Sequence, residues 1–166
     1  MNRELKSIII RRILFPVSYI VMIICSLNGS RLLVLQPALT IFGGLLFIYS
    51  LMQMIRIHSL FPEKHEKPED FPILLTNGPY RLCRHPFYFW TIMNLLSIPL
   101  ILGSIPGVVS WTAVFPLWII LMKAEEKELI MYWGKQYIAY MEKTPMLPTF
   151  NSFRKYLKMR RKDRSL

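Results

Sequence analysis

Cysteine is scarce in this 166-residue chain, which carries only Cys25 and Cys83. Their separation matches no metal-ligand spacing, and Cys25 falls inside an apolar run, so the chain has neither a disulfide framework nor a zinc site to organise it. No Gly-x-Gly-x-x-Gly follows a strand-like segment, which argues against a Rossmann nucleotide-binding domain. Charge is also missing over a long stretch, since positions 87–122 contain no Asp, Glu, Lys or Arg. Acidic residues number ten against 21 Lys and Arg, for a net charge of +11. With 53% hydrophobic residues and a mean hydropathy of +0.33, this composition lies outside that of ordinary soluble proteins.

What is present is apolar length. Crossing the hydrocarbon core takes roughly 17–25 apolar residues, and the runs 13–27, 32–55, 87–102 and 105–122 come closest. The expected architecture is therefore all-α: a polytopic bundle of about four transmembrane helices. Arg11 and Arg12 before the first run give it the look of a signal peptide, but no small-residue cleavage site follows, so it reads as a retained anchor. Lys and Arg number four before the first run, five in the 56–86 loop, eleven after Met122 and one in the turn at Gly29 to Arg31. Because positive loops stay inside, both termini and the long loop are expected in the cytoplasm, with any active site on that side.

The first two runs, joined by a short turn, are expected to form an antiparallel hairpin that serves as scaffold. Gly43-Gly44 lacks a full small-xxx-small pattern and reads as ordinary packing. Pro62, Pro68 and Pro72 break up the polar stretch 56–72. Gly103-Ser104-Ile105-Pro106-Gly107 reverses the chain, and positions equidistant from a reversal lie at equal depth in antiparallel helices. His85 and Glu125 are each twenty residues from Ile105, so Arg84-His85 and Glu125-Glu126 are expected to face each other, despite Pro99 and Pro116 in the spans. Leu129, Trp133, Tyr137 and Met141 recur every fourth residue and predict an amphipathic interfacial helix over 127–141, ended by Thr144-Pro145 and Pro148. Residues 1–148 are expected to form one membrane domain, and 149–166 a basic tail attracted to anionic lipid headgroups rather than to nucleic acid.

Adjacent carboxylates at the carboxyl end of a span oppose the helix dipole, so Glu125 and Glu126 need an offset that Arg81, Arg84 and His85 can supply. Exposed ion pairs stabilise by under about 1 kcal/mol, so five ionisable groups gathered at a membrane surface point to a ligand more than to glue. Arginine forks suit carboxylate or phosphate, glutamates suit ammonium or sulfonium, and tyrosine faces hold cations. S-adenosylmethionine and a phospholipid headgroup both satisfy that charge pattern. The class without catalysis is a membrane protein that binds anionic lipid.

The pattern Gly78-Pro79-Tyr80-Arg81-x-x-Arg84-His85-Pro86-x-Tyr88, followed by Glu125-Glu126-x-x-Leu129-x-x-x-Trp133-Gly134-x-x-Tyr137-x-x-Tyr140, resembles the isoprenylcysteine carboxyl methyltransferases and their phospholipid methyltransferase relatives. The resemblance spans residues 72–148, with the cofactor-binding part reaching back to 65. It implies S-adenosylmethionine as cofactor, released as S-adenosylhomocysteine, with contacts from His65, Pro72, Ile73, Leu74, Leu75, Tyr80, His85, Pro86, Phe87, Tyr88 and Glu125. It implies a lipidic or small hydrophobic acceptor, either a prenylcysteine-like carboxylate or a phospholipid amine. An amine must lose a proton, for which Glu126, His85 or a tyrosine are the candidates, while Arg84 is placed to orient the glutamates. Two departures weaken carboxyl methylation: Leu121 stands where those carboxyl methyltransferases carry an arginine, and Pro145-Met146 stands for their Pro-Arg.

Overall fold

A computed structural model describes residues 3–32, 35–63 and 68–163, with 3–9 and 160–163 as backbone alone. Among the described residues six α-helices follow in order: α1 (Arg3–Leu27), α2 (Gln36–His58), α3 (Pro86–Leu102), α4 (Ile105–Trp133), α5 (Lys135–Lys143) and α6 (Phe150–Asp163). There is no named strand among the described residues, and the expected all-α bundle is what forms. Helices α1, α2 and α4 are long and apolar enough to span a bilayer, and α3 is a shorter apolar helix of 17 residues.

The bundle wears its hydrophobicity outside. Ile10, Ile13, Val17, Ile20 and Ile24 are exposed along one face of α1, as are Ile41, Phe42, Leu45, Ile48, Met52 and Ile55 on α2. Stripes of this length on helices long enough to span a bilayer suit contact with lipid. Inside, Met22, Ile92, Leu95, Trp118, Leu121 and Met122 form the buried core.

Two expectations about the helices change. The α1–α2 hairpin does not pack as a pair: α2 lies mainly on α3, while α1 lies on α4 and α3. Gly43 is one cause, because a Cβ there would come within 2.7 Å of the Ile101 backbone nitrogen. It is therefore a close α2–α3 crossing rather than ordinary packing, whereas Gly44 faces open space. Asn94 of α3 is another, donating to Ser50 Oγ (2.9 Å) and Phe47 O (3.1 Å) on α2 and accepting from Tyr19 on α1 (2.7 Å). The second change concerns α4, which continues without a break past Met122 and Glu126 to Trp133. The amphipathic segment expected over 127–141 is split at Gly134, whose φ of +53° a side chain rarely adopts, and only α5 stands apart from the span.

At the end opposite the charged loop the two reversals are joined. Gly103 ends α3 in the left-handed region, and the Ser104 side chain caps α4 by accepting from Gly107 N at 3.1 Å. Leu32 N donates to Gly103 O (2.9 Å) and Ile105 N to Ser30 O (3.2 Å), tying the α1–α2 turn to the α3–α4 turn. Both α3 and α4 run through Pro99 and Pro116, and the equal-depth register holds.

Candidate active site

The residue before Pro86 cannot easily be helical, and α3 accordingly starts at Pro86 with His85 outside it. This kink turns the Arg84 and His85 side chains toward α4. Their backbone amides are held by the chain's far end, Arg84 N to Pro145 O (2.9 Å) and His85 N to Met146 O (3.2 Å). Arg84 Nε donates to Glu126 Oε1 at 2.6 Å, and its terminal nitrogen donates to Thr144 O (2.5 Å) and Met141 O (3.3 Å). His85 Nε2 lies 3.1 Å from the same carboxylate oxygen. The Arg84 and Glu126 side chains are 10% and 7% exposed, so this is a buried ion pair whose forks are engaged within the protein.

Its neighbour in sequence does something else. Glu125 Oε2 accepts from Tyr88 OH at 2.6 Å and lies 4.0 Å from the Arg11 guanidinium of α1. Glu125, Tyr88 and Arg11 belong to the wall of a cavity of about 390 Å³ at the loop end of the bundle, within the range of small-molecule sites. The wall draws on further parts of the chain. Ile73, Leu74, Leu75 and Tyr80 come from the loop, His85 from the turn before α3, and Pro86, Phe87 and Tyr88 from the start of α3. Trp118, Glu125, Glu128, Leu129 and Trp133 come from α4, with Tyr137 and Tyr140 from α5. His85 stacks on Tyr88 (centroids 5.7 Å apart, 24° between planes), and Tyr88 leans on Trp118 at 5.7 Å.

Burial fixes protonation around this wall. It pushes the Cys83 thiol up to about 12, so Cys83 stays a neutral thiol and is no nucleophile. Burial likewise raises the Tyr80, Tyr137 and Tyr140 phenols above their usual value, leaving them as donors. Tyr140 uses its hydroxyl to hold Tyr80 O at 2.7 Å.

Most of the residues expected from sequence converge here. Arg84 and the loop, Arg-His-Pro-x-Tyr and Glu125 positions all reach the cavity, Pro72 is not part of its wall, and Glu126 sits behind it on Arg84 and His85. His65 lies outside the described residues. Sequence reasoning missed Arg11, Arg12 and Phe15 of α1, His58 at the end of α2, Phe61, Pro68 and Phe71 beyond it, and Trp118 and Glu128 of α4. Arg11-Arg12 gave a signal, but one that flanking charges of any span would give.

An apolar bundle with lipid-length helices and a charged, aromatic cavity at one end has the makings of an integral membrane protein with a small-molecule site. A family profile for phospholipid methyltransferases matches residues 33–136, well over half of the chain, and the chain belongs to that family of membrane methyltransferases. The matched span holds α2, α3 and nearly all of the charged motif; α1 and α6 fall outside it. Comparison with curated proteins gave no match.

The cavity suits the cofactor that such a family implies. It offers a carboxylate for an ammonium or sulfonium, aromatic faces for a cation and arginines for a carboxylate. The Trp118 ring, 1% exposed, closes the floor of the cavity behind Tyr88.

Proposed function

We propose that this protein is an S-adenosylmethionine-dependent methyltransferase acting on a lipidic acceptor at the cytoplasmic membrane surface. The observation that carries this reading is the division of labour between adjacent glutamates: Glu126 locks Arg84 and His85 in place, and Glu125 is left in the cavity wall against Tyr88. Ile73, Leu74, Leu75, Tyr80, His85, Pro86, Phe87, Tyr88 and Glu125 would hold S-adenosylmethionine, which when bound would supply an electrophilic methyl on a sulfonium. Glu125 and the Tyr88 face oppose that positive charge, and the apolar wall excludes water. In-line displacement needs alignment more than acid–base groups. A carboxylate or thiolate acceptor needs no base; for an amine acceptor, His85 is an imidazole in the wall that can take a proton.

Helix α6 supports a membrane-surface role. Phe150, Phe153 and Leu157 are exposed on it beside Arg154, Lys155 and Lys158, a combination that favours anionic headgroups.

Calorimetry in detergent with S-adenosylhomocysteine tests the reading. A folded sample that fails to bind it would leave an anionic-lipid-binding protein without catalysis. Labelled methyl transfer to phosphatidylethanolamine and to a prenylcysteine then separates the acceptors, since only an ester product is base-labile.

A further inference from the structure

We infer that helix α6 docks on an anionic bilayer surface at the cavity end of the bundle, and that this contact holds the strap 144–147 on Arg84 and His85, coupling membrane composition to the site. The coupling goes beyond the methyltransferase reading and relies on it only for the ligand arm of the test.

The strap is the link. Thr144, Pro145 and Met146 present three successive carbonyls to Arg84 Nη1 (2.5 Å), Arg84 N (2.9 Å) and His85 N (3.2 Å), while Met146 and Leu147 pack on the buried core. These bonds satisfy both backbone amides before Pro86 and one arm of the arginine that holds Glu126. Residues 145–148 belong to no helix, so the strap depends on these contacts. Peeling it away would strip Arg84 and His85 of acceptors and loosen the His85–Tyr88 side of the cavity.

Helix α6 follows the strap almost at once. Only Pro148, with its fixed φ, separates Leu147 from a reciprocal cap in which Thr149 N donates to Ser152 Oγ (2.9 Å) and Ser152 N to Thr149 Oγ1 (3.2 Å). Yet α6 packs on no other helix as α5 packs on α4. Phe150, Phe153 and Leu157 share one exposed face, Phe150 being 76% exposed, and Arg154, Lys155 and Lys158 stand exposed on the same helix. Residues 154–164 carry seven Lys or Arg against Asp163 alone. An apolar strip flanked by cations fits an anionic bilayer, the strip entering the headgroup boundary and the cations meeting phosphates. Helices α1, α2 and α4 have bilayer-spanning length, and α6 leaves the bundle within a few residues of the Arg84 contacts, so a bilayer is the surface nearest to it.

The test places the full chain in nanodiscs of phosphatidylcholine, alone or mixed with phosphatidylglycerol. Phosphatidylglycerol should slow amide hydrogen exchange over 150–159 and, at least threefold, at the Arg84 and His85 amides, and should tighten S-adenosylhomocysteine at least threefold in calorimetry. Arg154→Gln, Lys155→Gln and Lys158→Gln together should remove all three lipid effects and leave the values in phosphatidylcholine unchanged. Pro148→Gly, which slackens the link, should keep the protection over 150–159 and weaken that at Arg84 and His85. The inference is overturned if 150–159 is protected equally in both discs, which would make its partner something other than anionic lipid. It also falls if exchange at Arg84 and His85 ignores phosphatidylglycerol, or if the triple variant keeps the lipid effect on S-adenosylhomocysteine, which would put the anionic lipid in the cavity itself. Lipid-dependent protection at both segments without any S-adenosylhomocysteine binding would sink the methyltransferase reading and leave the coupling standing; binding that no lipid alters would do the reverse.

Discussion

Two polar networks hang on α3, and they differ in where they end. In the middle of the bundle Tyr19, Asn94 and Ser50 bond one another across α1, α3 and α2, with no charge. At the loop end Arg84, His85, Glu126, Tyr88, Glu125 and Arg11 form a charged set, half of it closed on itself and half open to a cavity. Polar groups inside an apolar bundle are costly unless partnered. The central network meets that cost with interhelical hydrogen bonds alone. The end network meets it with ion pairs, and only one half of that network, Glu125, Tyr88 and Arg11, faces a cavity.

Arg84→Ala tests the closed half most severely. Leaving Glu126 buried without its cation should cost about 3–5 kcal/mol, seen as a large drop in thermal unfolding temperature in detergent, with S-adenosylhomocysteine binding lost as well. Gly43→Ala places a methyl against the Ile101 backbone beside the central network and should cost about 1–3 kcal/mol, while Gly44→Ala changes little; equal effects would contradict the close crossing. Asn94→Ala strips partners from Tyr19 and Ser50 and should cost about 1 kcal/mol, with ligand affinity intact, as a mere tie between helices requires. Glu125→Gln should move the unfolding temperature least, yet weaken S-adenosylhomocysteine at least tenfold in calorimetry. If it destabilises as Arg84→Ala does, the two halves of the end network are one structural unit and the contrast fails.

How much of this was legible depended on whether a signal was local. The facing of Arg84-His85 and Glu125-Glu126 followed from counting outward from Ile105, because two antiparallel helices climb at the same rise per residue. Helix α3 began where Pro86 demanded. The length of α4 was not legible, since the charges after Met122 resemble the end of a span although nothing there breaks a helix before Gly134. The role of α1 was hidden more deeply. No residue near Arg11 records that α1 would leave α2 and lie on α4, a choice made by Gly43 and Asn94 on other helices. Leu121 looked like the loss of a cation; the structure puts one at the same end of the bundle from a different helix.

The stitch between Ser30, Leu32, Gly103 and Ile105 fastens both hairpin turns at the end far from the cavity. Glu125 stands twenty residues up α4 from that fastening, about 30 Å at the helical rise. The bundle is therefore mechanically a pair of tongs, with its pivot at the stitch and its jaws at the cavity. Each degree of tilt between α1 and α4 at the pivot would separate Arg11 from Glu125 by about half an ångström, so the stitched glycine turn fixes the width of a cavity that lies a whole helix length away.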